Sequence, residues 1–149
     1  PNLQTLQLAD EVQALFDYYD AVADEKGVKF TLEGDGTLGA DRLMLRRALG
    51  NLLSNAIRHA TPHTAVEVSI QAGVKSIEIC VLNTGDAIAP EHLERVFERF
   101  FRVDPSRQIS SEGTGLGLAI TKSIVAAHGG TITVTSSDKD TVFRVFLPR

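Results

Sequence analysis

Asp41-Arg-Leu-Met-Leu45-Arg-Arg-Ala-Leu49-Gly-Asn51-Leu-Leu-Ser-Asn55-Ala-Ile57-Arg58-His59 is the stretch from which the rest of the chain can be read. Leu45, Ala48, Leu49, Leu52, Leu53, Ala56 and Ile57 recur at helical spacing and make one broad apolar stripe. Asp41 is placed to cap the first turn, and Pro62 stands just past the expected end near Ala60. Asn51, Asn55 and Arg58 fall at i, i+4 and i+7, so they share one face, with His59 at its margin. Asparagine is a poor residue for a helix interior, and two on one face call for an offsetting interaction. An amide oxygen is a hard ligand suited to magnesium, and a guanidinium can neutralise phosphate charge. A solvated polar face is the plain alternative.

On the N-terminal side, Leu8, Val12, Leu15, Phe16, Tyr19 and Val22 predict a helix from Leu8 to Asp24, stopped by Gly27. Val28 to Leu32 alternates as a strand, with Gly34, Gly36 and Gly39 marking turns. On the C-terminal side, Ala65 to Ile70 and Ile77 to Leu82 read as strands joined near Gly73. Asn83-Thr84-Gly85 leaves the second of them. Its amide can hydrogen-bond a purine edge, and its glycine permits close approach, although a plain turn has the same letters. Pro90 opens a short helix expected through Phe97.

Phe97-Glu-Arg99-Phe100-Phe101-Arg102 follows, then a polar, aperiodic stretch over 102–114 that reads as a loop. The phenylalanines are expected to anchor the loop base by burial. Arg102 is placed to reach a terminal phosphate, whereas Arg99 reads as solvated. Gly113-Thr-Gly115-Leu116-Gly117-Leu118 turns into a helix expected from about Gly115 to Ala127, ended by Gly129-Gly130. Backbone N–H groups at such a helix start can face an anion. The glycines follow a polar loop and not a strand, which excludes a dinucleotide fold, and no Gly-Lys-Ser/Thr is present. Thr131 to Thr135 and Val142 to Leu147 close the chain as strands. The pattern predicts an α+β class: a two-layer α/β sandwich, a mixed sheet with three helices on one face and solvent on the other.

The 149 residues suit a single domain, with 43% hydrophobic and 23% charged residues. A net charge of −4 without a basic block disfavours nucleic-acid binding. No apolar run approaches the ~20 residues of a membrane helix, and no signal peptide is visible. Cys80 is the only cysteine, so no internal disulfide forms; its alternating run places it in the core. The first residue is Pro1, which fits an excerpt of a longer protein.

Taken in order, the asparagine helix, the Asn-x-Gly segment, the phenylalanine cluster and the glycine turn resemble the ATP-binding catalytic domain of sensor histidine kinases, in the family shared with gyrase, the Hsp90 chaperone and MutL. The resemblance covers residues 1–149 and implies a Bergerat-type fold binding ATP and Mg2+. It implies that Asn55 binds magnesium, with Asn51 in the same box. Arg58 would contact phosphate, and His59 would line the nucleotide. Arg102 would lie near the γ-phosphate. Gly113, Gly115 and Gly117, with the backbone of Leu116 and Leu118, would form the phosphate-side turn, and residues 103–112 the lid. Thr141 would lie near adenine. The usual Asp-x-Gly is Asn83-Thr84-Gly85 here, an amide that can accept the same bond without charge. Asp140 replaces the glycine usual before Thr141. The Asn83 variant and Arg102-Val-Asp-Pro-Ser-Arg107 resemble the heavy-metal-responsive branch.

The ATPases of this family carry glutamate where Asn51 stands, and that carboxylate is their general base for water. Asparagine takes no proton at neutral pH, so the nucleotide is expected to survive for an external nucleophile. None of His59, His63, His92 or His128 has a phosphoacceptor's setting; Glu91-His92-Leu93 reads as a surface histidine on a short helix. The resemblance therefore implies a phosphoacceptor-histidine dimerisation domain N-terminal in the parent chain and a response regulator downstream. It also implies a cytoplasmic, monomeric domain without direct membrane contact, in a parent of the bacterial inner membrane. The isolated fragment is expected to bind ATP without autophosphorylating. A stand-alone serine kinase of similar fold and a non-catalytic nucleotide-binding or docking module are the alternatives.

Overall fold

The structure, a computed structural model, describes residues 1–99, 101 and 116–149. Its elements in chain order are β1 (Gln4–Gln7), α1 (Leu8–Lys26), β2 (Lys29–Gly34), β3 (Thr37–Ala40), α2 (Arg42–His59), β4 (Ala65–Ala72), β5 (Ser76–Thr84), α3 (Pro90–Leu93), α4 (Gly117–Ala127), β6 (Thr131–Ser136) and β7 (Asp140–Pro148). Five strands make one sheet in the order β2-β4-β5-β7-β6. β2 and β4 run parallel and every other neighbour is antiparallel, so the sheet is mixed, as expected.

Strict alternation gives the sheet two unlike faces. Val66, Val68 and Ile70 of β4, Ile77, Ile79 and Val81 of β5, and Phe143, Val145 and Leu147 of β7 are buried under the helices. Glu67, Ser69, Glu78, Leu82, Val142 and Arg144 occupy the alternate positions and face outward. Cys80 belongs to this second set: it is half-buried on the outer face, not in the core as the sequence suggested. One alternating run contains both faces, and only the pairing partners decide which set is covered. The Cys80 thiol donates to Glu78 Oε1 at 3.0 Å. Partial burial first, and then the Glu78 carboxylate, push its pKa up to about 11.

The helices follow their apolar stripes. α1 ends at Gly27, whose left-handed φ of 80° returns its N–H to Ala23 and Asp24 carbonyls. α1 is fixed to β2 by Phe16 stacked on Phe30, ring centroids 4.5 Å apart. Val22 is exposed and Ala23 takes the buried position at that end of the stripe. Asp41 caps α2 as expected, accepting from the Met44 N–H at 3.0 Å. Glu11 of α1, 3% exposed, lies against α2 and accepts from Nε of Arg42 at 3.2 Å and of Arg46 at 2.9 Å.

Two differences from the sequence reading have simple causes. β1 and β3 pair antiparallel as a separate two-stranded sheet that the pattern did not announce. Each has four residues, and only Leu6 in one and Leu38 and Ala40 in the other are buried, too few to display a period. α3 ends at Leu93 instead of reaching Phe97. Beyond it Val96 is buried and Phe97 meets Phe143 edge-on at 5.9 Å, and core contacts replace helical continuation. His92 is half-buried beside Phe101, ring centroids 5.6 Å apart, and so is not a plain surface residue.

Glu11→Gln is expected to lower unfolding free energy by about 1–2 kcal/mol, because it weakens two charge-assisted bonds whose arginines keep partial access to water; urea denaturation measures this. Alkylation of Cys80 by iodoacetamide is expected to be slow at neutral pH, where only about one thiol in ten thousand is ionised for the pKa of about 11. Its rate should climb roughly tenfold per pH unit as pH rises toward that value.

Candidate functional site

The C-terminal half of α2 meets the end of β5 and the start of α4. The stripe Leu45, Ala48, Leu49, Leu52, Leu53, Ala56 and Ile57 is buried throughout, which fixes the rotation of α2 about its axis. Asn51 is then half-buried, Asn55 is 8% exposed, Arg58 is half-buried and His59 is exposed. Asn55 is thus an amide in a nearly dry position. Burying such a group without compensation costs about 1–3 kcal/mol on mutational scales.

Asn51 reaches across to α4. Its Nδ2 donates to the Gly117 carbonyl at 3.1 Å. Thr121, fully buried one turn further on, donates to the same carbonyl at 2.9 Å and lies 3.4 Å from the Ala48 carbonyl. Sequence reading missed Thr121, because a lone threonine inside an apolar helix gives no sign that its hydroxyl serves a neighbour. Leu116 is the N-cap residue of α4, with its carbonyl taken by the Ile120 N–H at 2.9 Å. Leu118 packs on the core. Arg102, Gly113 and Gly115, with the lid over residues 103–112, lie outside the described residues.

At the other side of α2, Asn83 is 2% exposed and stands opposite Thr141 in the β5–β7 ladder. Thr141, also buried, lies opposite Ser136 on β6, and their hydroxyl oxygens are 3.1 Å apart. The Ser136 hydroxyl also accepts from the Ile88 N–H at 2.9 Å. Asn83, Thr141 and Ser136 therefore form one polar row across three strands. Ser136 was not anticipated; it shows only once β6 is paired. Asp140, in place of the usual glycine, leaves Thr141 in register and accepts from the Thr84 hydroxyl at 3.4 Å.

Gly85 follows from backbone crowding. A Cβ there would lie 2.3 Å from the His59 carbonyl oxygen and 3.3 Å from Asn83 Nδ2. Thr61 N–H donates to the Thr84 carbonyl at 2.8 Å, which holds the end of α2 against β5, and Gly85 N–H donates to the Lys139 carbonyl at 2.7 Å, which ties the end of β5 to the turn before β7. The Asn83 Nδ2 is buried and has no hydrogen-bond partner among the described residues. A buried amide with an open donor is the arrangement a ligand's acceptor would complete, and an amide can turn to offer its oxygen instead.

A cavity of about 600 Å³ opens between the first turns of α2 and the length of α4, lined by Leu43, Met44, Arg47, Leu116, Ile120 and Ile124 among others. None of Asn51, Asn55, Arg58 or Asn83 lines it. No helix among the described residues is long and apolar enough to cross a membrane.

Gly85→Ala is expected to cost about 3 kcal/mol of stability, since its methyl group meets backbone and not a movable side chain; chemical denaturation checks this.

Residues 40–149 match the profile of the histidine kinase-, DNA gyrase B- and HSP90-like ATPase family. The sensor histidine kinase CusS of Escherichia coli strain K12 is 50% identical over 149 residues, covering 99% of this chain and 31% of that protein. The sensor protein CzcS of Cupriavidus metallidurans is 40% identical over 148 residues, 99% of this chain and 31% of its own length. This chain thus spans about a third of such relatives. Among solved structures, the mycobacterial sensor histidine kinase MprB superposes with a TM-score of 0.84 at 27% identity, covering 98% of this chain and 97% of that one. Full-length ShkA, solved with AMPPNP, gives 0.83 at 26% identity over 98% of this chain and 31% of that one. The fold, the mixed sheet and these relatives agree, and the chain belongs to the histidine kinase-, DNA gyrase B- and HSP90-like ATPase family.

Proposed function

We propose that this chain binds Mg-ATP and presents its γ-phosphate to a histidine on a separate dimerisation domain of a two-component sensor kinase. The observation that carries the reading is a pair of buried amides on two elements that pack together, Asn55 on α2 and Asn83 on β5. Neutral oxygen donors suit a hard cation that shares its shell with phosphates and water. The open Asn83 donor and the Thr141 and Ser136 hydroxyls suit a base that both donates and accepts. These residues fit a magnesium nucleotide.

In this reading Asn55 holds the magnesium ion, and Arg58 and Arg102 offset phosphate charge. Gly113, Gly115 and Gly117 with the Leu116 and Leu118 backbone take the phosphate side, and His59 borders the nucleotide. Asn83, Gly85 and Thr141 take the base. The bound ion neutralises phosphate charge and so makes the terminal phosphorus accessible to a nucleophile. Asn51 has two consequences. Its amide ties α2 to α4 through Gly117, and it cannot remove a proton from water at neutral pH. The chain's own contribution is binding, orientation and charge neutralisation, with hydrolysis left without a base at that position.

The cavity of about 600 Å³ beside α4, lined by apolar side chains together with Arg47, Arg99 and Ser123 and with Leu43 80% exposed at its edge, offers a surface for the phosphoacceptor helices, and a response regulator would receive the phosphate afterwards. The likeness to CusS and CzcS supports a parent in the heavy-metal-responsive branch, anchored in the bacterial inner membrane with this domain on its cytoplasmic side.

Calorimetric titration with a non-hydrolysable ATP analogue, with and without magnesium, tests the reading. Magnesium-dependent binding is expected, and Asn55→Ala should weaken it tenfold or more, about 1.4 kcal/mol per factor of ten. Adding the dimerisation domain of the parent should place acid-labile, base-stable phosphate on histidine in the wild type and not in Asn55→Ala. Binding indifferent to magnesium, or transfer unaffected by Asn55→Ala, would overturn the assignment.

A further inference from the structure

α2 and α4 run antiparallel, and among the described residues two hydrogen bonds join them. Asn51 to Gly117 lies at the nucleotide end, where the Thr121 hydroxyl also packs 3.4 Å from the Ala48 carbonyl. The second lies at the opposite end, where the Asp41 N–H donates to Nε2 of His128 at 3.1 Å. His128 is the C-cap residue of α4, and its Nδ1 lies 2.8 Å from the Ile124 carbonyl. A carbonyl only accepts, so Nδ1 carries the proton; an N–H only donates, so Nε2 carries none. Both contacts together require the neutral Nδ1–H tautomer.

The same Asp41 is the N-cap of α2. One carboxylate oxygen accepts from the Met44 N–H at 3.0 Å and the other from the Asn2 N–H at 2.9 Å. A single chain of bonds therefore runs from the segment before β1, through the first turn of α2, to the last turn of α4.

We propose that His128 is a positioning residue for the nucleotide site: neutral, it fastens the end of α4 to the N-cap of α2, and a proton on Nε2 releases that fastening. A protonated Nε2 turns an acceptor into a donor that faces the donor of Asp41. The half-buried backbone N–H then loses its partner. The charged groups facing the ring are few. α4 has no acidic or basic residue in its last turn, so its own contribution is the carbonyl end of the helix, which favours an imidazolium. α2 brings the Asp41 carboxylate, whose pKa is lowered by the N–H groups of Met44 and Asn2, and Arg42, which is engaged with Glu11. The Asp41 carboxylate is solvent-exposed, so its pull on an imidazolium is screened. A ring that turned toward it would also leave the backbone N–H unsatisfied. The fastening is thus present while the imidazole is neutral and is lost once Nε2 is protonated.

Its influence on the nucleotide site passes along α2. Asp41 and Asn55 lie on one continuous helix, about 20 Å apart at its rise per residue. Loosening one end of an antiparallel pair leaves Asn51–Gly117 and the apolar packing between the two helices to hold the register. This nucleotide arm rests on the function proposed above; the protonation arm does not.

The test compares wild type, His128→Gln and His128→Leu between about pH 8 and about pH 5, an interval that brackets histidine titration in general. Glutamine offers an acceptor oxygen that does not titrate, leucine offers none, and the other titrating groups cancel in the differences. The unfolding constant of wild type relative to His128→Gln should rise about fivefold on acidification. His128→Leu should be the least stable of the three at the higher pH. Imidazole 15N shifts should show the Nδ1–H tautomer there, and the Asp41 amide signal should move with the ring's titration. Parallel stability profiles for wild type and glutamine, an Nε2–H tautomer, or an Asp41 amide that ignores the titration would overturn the latch.

At the higher pH, Mg-AMPPNP should bind His128→Leu roughly two- to fivefold more weakly than wild type, with glutamine restoring affinity. Equal affinities would overturn the positioning role. No binding by wild type would sink the nucleotide reading itself, and with it the positioning role, while the stability profiles would still decide the latch.

Discussion

The packing of α2 between the sheet and α4 is the constraint on which the rest of the structure depends. Its apolar stripe is wide enough to be covered on both sides, by β4 and β5 beneath and by α4 alongside. In the C-terminal half of α2 that coverage leaves Asn51, Ser54, Arg58 and His59 partly open and takes Asn55 into the buried set. It also fixes the height at which α2 ends, because the His59 carbonyl presses on Gly85 and admits no side chain there. The positions of Asn83 and Thr141 follow, since both belong to strands whose register is set from the buried side. A small rotation of α2 would bury Arg58 or expose Leu52, so the amides are held by hydrophobic coverage more than by their own bonds.

Much of this was legible in advance. The α2 stripe, its Asp41 cap, the Gly27 stop and the alternation of β4, β5 and β7 all appear in the structure where the pattern puts them. Long periodic elements announce themselves because many residues repeat one choice. β1 and β3 did not, because four residues with one or two buried side chains carry no period. Cys80 was placed on the wrong face for a related reason: alternation separates two sets of residues but does not say which set the helices will cover. In the candidate site, Asn51, Asn55 and Asn83 were visible as polar residues that apolar surroundings had to accommodate. Ser136 and Thr121 were not, since their hydroxyls matter only through partners on distant elements.

The chemistry on offer is distinguished by what has been kept neutral. The side chains converging from α2, β5, β7 and β6 are amides and hydroxyls, apart from Arg58 and the more peripheral Asp140. The Asn51 amide ties two helices together and, unlike a carboxylate, takes no proton at neutral pH. Asn83, likewise uncharged, can turn to offer a donor or an acceptor.

β7 is the last strand of the chain, yet it lies inside the sheet, between β5 and β6. It supplies Phe143, Val145 and Leu147 to the core. During synthesis from the N-terminus, the other described strands of the sheet are made before this one. Until β7 leaves the ribosome, one edge of β5 has no partner, and Ile77, Ile79 and Val81 lack the strand that shields them. The nascent chain therefore passes through an interval with an open apolar edge, the condition under which strands capture the wrong neighbours. Deletion of β7 would make that interval permanent.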